Sequence, residues 1–338
     1  MKFDSKKYRA VLVAAAISVS GTSAIAQTLN LKMAHQWPQD GSDYVVATGI
    51  KFAQEVEKQT HGQIKITTFP AESLVKASAT HTALKNGTVD LAIYPYIYSA
   101  GAIPQMNMVL LPGLWRTHDE VFAFRNSEAW KDIEKKAEDY GFKTLSWIQI
   151  SGGVATSGKE IHEPQDVAGM KLRAAGKFME FALQKAGATT VSMPSSENYS
   201  AMQTGLLGGM WTSSGSFGAF RMYEVAKFYN SPEDFSVYFT IEPIAISMKT
   251  WNKLSPEQQK ILVEVGQSLE SAALEGAKRE DKRVAELFAK NGVKVEKMTE
   301  ASWKKWQDWF QQYSFEKFKT DVPGGEALLK AATSGTAK

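Results

Sequence analysis

The chain has 338 residues, 43% hydrophobic and 22% charged, with no cysteine. This composition excludes collagen-like, coiled-coil and wholly disordered chains, and the lack of thiols excludes a disulfide scaffold or a thiolate site. The formal charge of +3 resides in the first 26 residues, through Lys2, Lys6, Lys7 and Arg9 against Asp4; residues 27–338 hold 35 basic and 35 acidic side chains, so bulk charge gives no reason to bind nucleic acid.

Residues 1–26 read as a cleaved export signal. A basic segment precedes a run of small apolar residues, and Ala24-Ile25-Ala26 supplies the cleavage pattern, leaving Gln27 as the first residue of a periplasmic chain. The alternative is a membrane anchor, but the run at 10–26 is diluted by serine and glycine and falls short of the ~20 apolar residues of a spanning helix. The length of the remainder predicts two domains, because one core rarely grows past ~250–300 residues.

The first predicted strand is 29–37, broken by Pro38 and Gly41. A helix follows, with residues 45, 49, 52, 53 and 56 on one face, Ser42 or Asp43 as cap and Gly62 as stop. Residues 63–69 alternate as a strand, 76–86 read as a helix, and 89–96 form an apolar strand. Strands alternating with helices imply a parallel sheet with covering helices, an α/β class. Further on, the patterns predict a helix over 120–141, a strand at 142–150 and a short strand at 169–176. Then come a helix at 177–187, a strand at 188–194 and a short helix at 195–205. Pro256 opens a helical pattern running to residue 292, long enough to bridge two domains; two helices broken near Gly276 are the alternative. Residues 329–338 read as a frayed polar tail.

The chemistry of the chain is marked by missing motifs. His35, His61, His81, His118 and His162 show no short metal-ligand spacing, and no metal or other cofactor is expected. There is no G-x-S-x-G elbow, phosphate loop or G-x-G-x-x-G turn. An exported α/β protein without a visible catalytic set suggests a carrier of small molecules rather than an enzyme.

One stretch is informative as a whole. Gly169-Met170-Lys171-Leu172-Arg173 is followed by Gly187-Ala188, Met193, Ser196-Glu197, Tyr199 and Ala201-Met202-Gln203-Thr204-Gly205. Together with FPAESL, LKNGTVDLAIY, MYEVAKF and WNKLSPEQQKIL, it resembles the solute-binding proteins of tripartite ATP-independent periplasmic (TRAP) transporters, dicarboxylate type, over nearly all of residues 29–310. The resemblance implies a two-domain periplasmic binding protein fold with an interdomain cleft, crossing hinge strands and a long helix spanning both domains. It divides the chain into 27–150 plus 239–278 and 151–238 plus 279–338.

It also implies a site. Arg173 corresponds to the family arginine that forks onto a ligand carboxylate, and a guanidinium suits that role because it is planar and always charged. The chain departs from the family at Trp211 and Thr212, which replace an acid and an asparagine, at Ser195, where phenylalanine is frequent, and at Gly153, near a second arginine of sugar-acid binders. Ser213 follows Thr212 as a candidate contact. From the other domain, Gln36, Trp37, Lys76, Tyr94, Tyr96 and Tyr98 are candidates, with strand alternation placing the three tyrosines on one side; core packing is the alternative for these rings. The expected function is capture of a small organic acid, an aromatic monocarboxylate or aromatic 2-oxo acid, by a monomer that delivers it to a TRAP membrane permease. Sugar acids, aliphatic hydroxy or keto acids and a sensory role are the alternatives.

Overall fold

The computed structural model describes residues 28–39 and 43–333; the expected export segment and its Gln27 junction lie outside the described residues. The strands are β1 (Leu29–His35), β2 (Ile64–Phe69), β3 (Leu91–Ile93), β4 (Phe142–Ser146), β5 (Gln149–Thr156), β6 (Lys171–Ala174), β7 (Thr189–Ser192), β8 (Gly209–Ser213), β9 (Phe228–Ser231), β10 (Tyr238–Ile241), β11 (Ile244–Ser247) and β12 (Lys294–Lys297). They form two sheets. The first has the order β2-β1-β3-β11-β4, the second β12-β9-β5-β8-β6-β7, with β10 added against β5.

The first sheet grows from a crossover. β1 pairs in parallel with β2 and β3, which requires a covering connection, and the helix Tyr44–Gln59 provides it. Asp43 caps that helix by accepting from the Val45 amide at 2.7 Å, and Val45, Val46, Phe52 and Val56 face the core. The chain passes between the sheets at 147–148, from β4 to β5, and returns at 242–243, from β10 to β11.

The helix Pro256–Lys290 is a third tie. It is continuous over 35 residues, about 52 Å at ~1.5 Å per residue, and Ser255 and Gln258 cap it reciprocally. It packs on the helix Tyr44–Gln59 and β4, then on the helix Ser214–Ala219, β5, β9 and β12, so it spans both sheets. Gly276 does not break it. A Cβ there would lie 2.8 Å from the Tyr44 ring, so the glycine permits close approach.

Several predicted elements are corrected. The helix expected over 120–141 is two, His118–Phe124 and Glu128–Tyr140, because the Ser127 side chain accepts from the Trp130 amide and starts a new helix. The apolar run 89–96 is strand only over Leu91–Ile93; Pro95 diverts it into a 3₁₀ turn at Tyr96–Ser99, where strand alternation no longer applies. The strand expected at 142–150 ends at Ser146, and β5 begins at Gln149. The tail is ordered as far as a helix, Gly325–Thr333, which packs on Glu128–Tyr140 through apolar residues such as Leu328 and Leu329. Residues 334–338 lie outside the described residues.

Candidate functional site

Arg173 stands near the carboxyl end of β6, between parallel neighbours β7 and β8. Ligands of open α/β sheets bind beyond such ends. The side chain is 1% exposed. Its Nε–H and Nη2–H donate to the Met193 carbonyl (3.1 and 3.0 Å), and Nη1–H donates to the Trp211 carbonyl (2.7 Å). These partners are neutral, and a guanidinium has five N–H donors. It borders a groove of about 300 Å³ with Tyr98, Ile97 and Ser78 from one side and Met193 and Pro194 from the other. That volume is at the lower end for small-ligand sites, ~300–1,000 Å³.

Polar side chains connect the two sheets across this region. Trp37, just after β1, donates through Nε1 to Ser216 Oγ at 3.2 Å. Ser213 Oγ donates to the same Ser216 oxygen at 2.9 Å, and Ser216 donates to Ser195 Oγ at 3.3 Å. The Ser195 amide donates to the Tyr98 hydroxyl at 3.0 Å. Beside the groove, Glu72 accepts from Ser196 Oγ at 2.9 Å and pairs with Lys76 at 3.1 Å.

Several buried polar groups have no partner among the described residues: both ring nitrogens of His35, both amide atoms of Gln36, the Asn198 amide, Asp43 Oδ2 and Glu242 Oε2. Such atoms cost ~1–3 kcal/mol each when left unpaired in a dry interior, so their number points to a ligand or water. Burial, then the Asp43 carboxylate, push Glu242 well above the usual carboxylate range, against the pull of Arg173. Burial and then Glu280 raise Asp43 to about 7. Burial lowers His35 to about 4. Burial therefore favours the uncharged forms of Glu242 and His35, while the buried Arg173 guanidinium donates to neutral carbonyls.

The expected residues divide into two groups. Arg173, Trp37, Ser195, Ser213 and Tyr98 meet around the cleft, with Gln36 beside Trp37 and Lys76 at the exposed rim. The others pack elsewhere. Tyr94 and Tyr96 lie edge-on to Phe142 at 5.9 and 5.3 Å, and their hydroxyls bond Ser99 and Thr144. Trp211 packs against Trp306 at 5.3 Å and serves the site through its carbonyl. Thr212 is buried in β8 opposite Gly153. A Cβ on Gly153 would lie 2.2 Å from the Asn230 carbonyl oxygen, so this glycine lets β5 and β9 approach.

Sequence reasoning missed Glu242, His35 and Ser216, and weighed Asp43 only as a helix cap. For Glu242 a signal exists: it is a lone acid inside the apolar run VYFTIEPIAI, and a buried charge needs a reason.

Comparison with known proteins bears on the family and the fold. The family model for bacterial extracellular solute-binding protein, family 7, matches residues 33–321. A solute-binding protein of Albidiferax ferrireducens is 36% identical over 324 residues, covering 94% of this chain and 95% of the relative. The 2,3-diketo-L-gulonate-binding periplasmic protein of Escherichia coli is 28% identical and covers 98% of each chain. Among solved structures, a TRAP periplasmic solute-binding protein from Rhodoferax ferrireducens with bound malonate superposes with a TM-score of 0.89. It is 35% identical, covering 91% of this chain and 98% of that one.

Proposed function

We propose that this chain, which belongs to family 7 of the bacterial extracellular solute-binding proteins, holds a short carboxylic acid on Arg173 between its two lobes. It is the solute-binding subunit of a TRAP transporter, a family of binding proteins rather than enzymes that take up small organic acids and work with membrane permease subunits. Among the described residues no helix is long and apolar enough to cross a membrane.

The observation that carries the Arg173 assignment is the state of its surroundings. Its hydrogen bonds to Met193 and Trp211 go to neutral carbonyls, and burial pushes the carboxyl of Glu242, against the pull of Arg173, well above the usual carboxylate range. A ligand carboxylate supplies the missing negative charge in a water-poor cleft, where a charge-assisted fork is strong. The ligand's remaining polar atoms meet Ser195, Ser213, Gln36 and His35. A groove of about 300 Å³ and these polar neighbours favour a compact acid, and the relative that holds malonate supports that size. An aromatic 2-oxo acid is the second reading, favoured by the half-buried Tyr98 ring at the groove.

Closure moves the lobe of the first sheet against the lobe of the second; the chain crosses at 147–148 and 242–243, so Gln149–Ile150 and Phe239–Ile241 belong to the second sheet rather than to the expected first domain, and the helix Gly325–Thr333 rides on the first lobe through Glu128–Tyr140. The ligand shifts a pre-existing open–closed equilibrium, because it touches both lobes only in the closed form. The protein acts as an exported monomer. The test is titration calorimetry with malonate, succinate, benzoylformate and glucuronate. Malonate or succinate should bind tightest. Benzoylformate binding tightest would transfer the assignment to aromatic acids, and no binding by any acid would remove the anion reading.

A further inference from the structure

At the edge of the second sheet, away from the cleft, the loop after β5 meets β12. There Glu160, His162 and Glu296 place one ligand atom each within 4.8 Å of one another. His162 Nε2 lies 3.1 Å from Glu160 Oε2 and 3.7 Å from Glu296 Oε2. A tetrahedral zinc ion with ligands at ~2.0–2.1 Å sets neighbouring ligand atoms roughly 3.3–3.4 Å apart, so both separations are close to what the metal requires.

The other carboxylate oxygens are already held. Lys294 Nζ pairs with Glu160 Oε1 and lies 3.0 Å from Glu296 Oε1. One oxygen of each glutamate therefore belongs to the lysine, and the second faces the imidazole.

A second feature points into the same place. Asn230 on β9 is the cross-strand partner of Glu296. It is 7% exposed, its Nδ2 donates to the Ile161 carbonyl at 3.4 Å, and its Oδ1 is buried with no partner among the described residues. Asn230, Glu160, His162, Glu296 and Lys294 line one small cavity of about 10 Å³. That is roughly the space of a single water.

We propose that Glu160, His162 and Glu296 form a zinc site, completed by a water that donates to Asn230 Oδ1. An imidazole nitrogen with two carboxylates suits zinc, whereas magnesium and calcium are held by oxygen ligands throughout. Lys294 orients both carboxylates and cancels one of their charges, which leaves the cluster net negative towards a divalent cation. Glu160 and His162 are two residues apart in sequence, but Glu296 on β12 reaches them only through the fold.

The test uses untagged full-length mature protein stripped with a chelator, titrated with zinc against a chromophoric competitor. One equivalent should bind, and His162→Gln and Glu296→Gln should each weaken it at least tenfold. Magnesium should not compete. Organic-acid binding in both variants should match wild type. Absence of a stoichiometric zinc complex at micromolar metal would overturn the proposal. So would zinc binding of unchanged strength in the Glu160→Gln, Glu296→Gln double variant.

Discussion

Replacing Asp43 with asparagine should change how stability depends on pH, with a sign that the buried site dictates. Asp43 has its ordinary value of 3.8 in the unfolded chain and about 7 in the folded one, chiefly through burial and then Glu280. Between those values the folded state keeps a proton that the unfolded state has released, so stability falls as pH rises from about 4 to about 7. At about 1.36 kcal/mol per pH unit, the full effect is about 4 kcal/mol. His35 acts in the opposite sense. Burial lowers it from 6.5 to about 4, so its contribution, about 3 kcal/mol, is present above 6.5 and lost as pH falls towards 4. In the wild-type protein the two slopes largely cancel between pH 4 and 6.5. The amide oxygen of the Asp43→Asn variant can still accept from the Val45 amide, so the helix start survives. Urea unfolding of ligand-free protein from pH 4 to 7.5 measures the result. The stability of Asp43→Asn relative to wild type should increase by about 4 kcal/mol across that range. A difference that stays constant within about 1 kcal/mol would refute a buried, proton-holding Asp43.

Two further substitutions separate binding from packing. Arg173→Ala removes the cation of the site and should weaken acid binding by ~2–5 kcal/mol, thirtyfold or more; calorimetry on the folded variant giving an affinity within threefold of wild type would remove Arg173 from the site. Gly153→Ala forces a Cβ against the Asn230 carbonyl, so its melting temperature should drop while the folded protein keeps its acid affinity. Lost affinity at an unchanged melting temperature would return Gly153 to the ligand site.

Much of the architecture is readable in short windows, because amphipathic periodicity and caps are local. The helix behind Asp43, the strand ending near Trp37 and the overlong helix from Pro256 are of this kind. The second sheet is less readable. β5, β8 and β10 are buried along their whole length, so they lack the alternation that marks a half-exposed strand. The same limit governs the site. Arg173 was singled out only because an extended family pattern surrounds it. The tyrosines misled because Pro95 ends the strand before alternation can orient them. Trp211 occupies a family ligand-side position in sequence, yet its ring packs against Trp306 from a helix almost a hundred residues later. Contacts of that range leave no trace in spacing.

The strand order of the first sheet has a consequence for synthesis. β11 lies between β3 and β4 and pairs with both, yet it comes from residues 244–247 of 338. Until a growing chain has passed that point, β3 and β4 have no neighbour on their inner edges, and the sheet cannot close. Such edges invite pairing with other chains, and long-range strand pairing is slow to form. A nascent or truncated chain ending near residue 150 therefore has β1 to β4 but neither β11 between them nor the long helix that packs on them. It stays unfolded and sticky for most of translation, a state in which chaperones and translocases, rather than its own core, determine its fate.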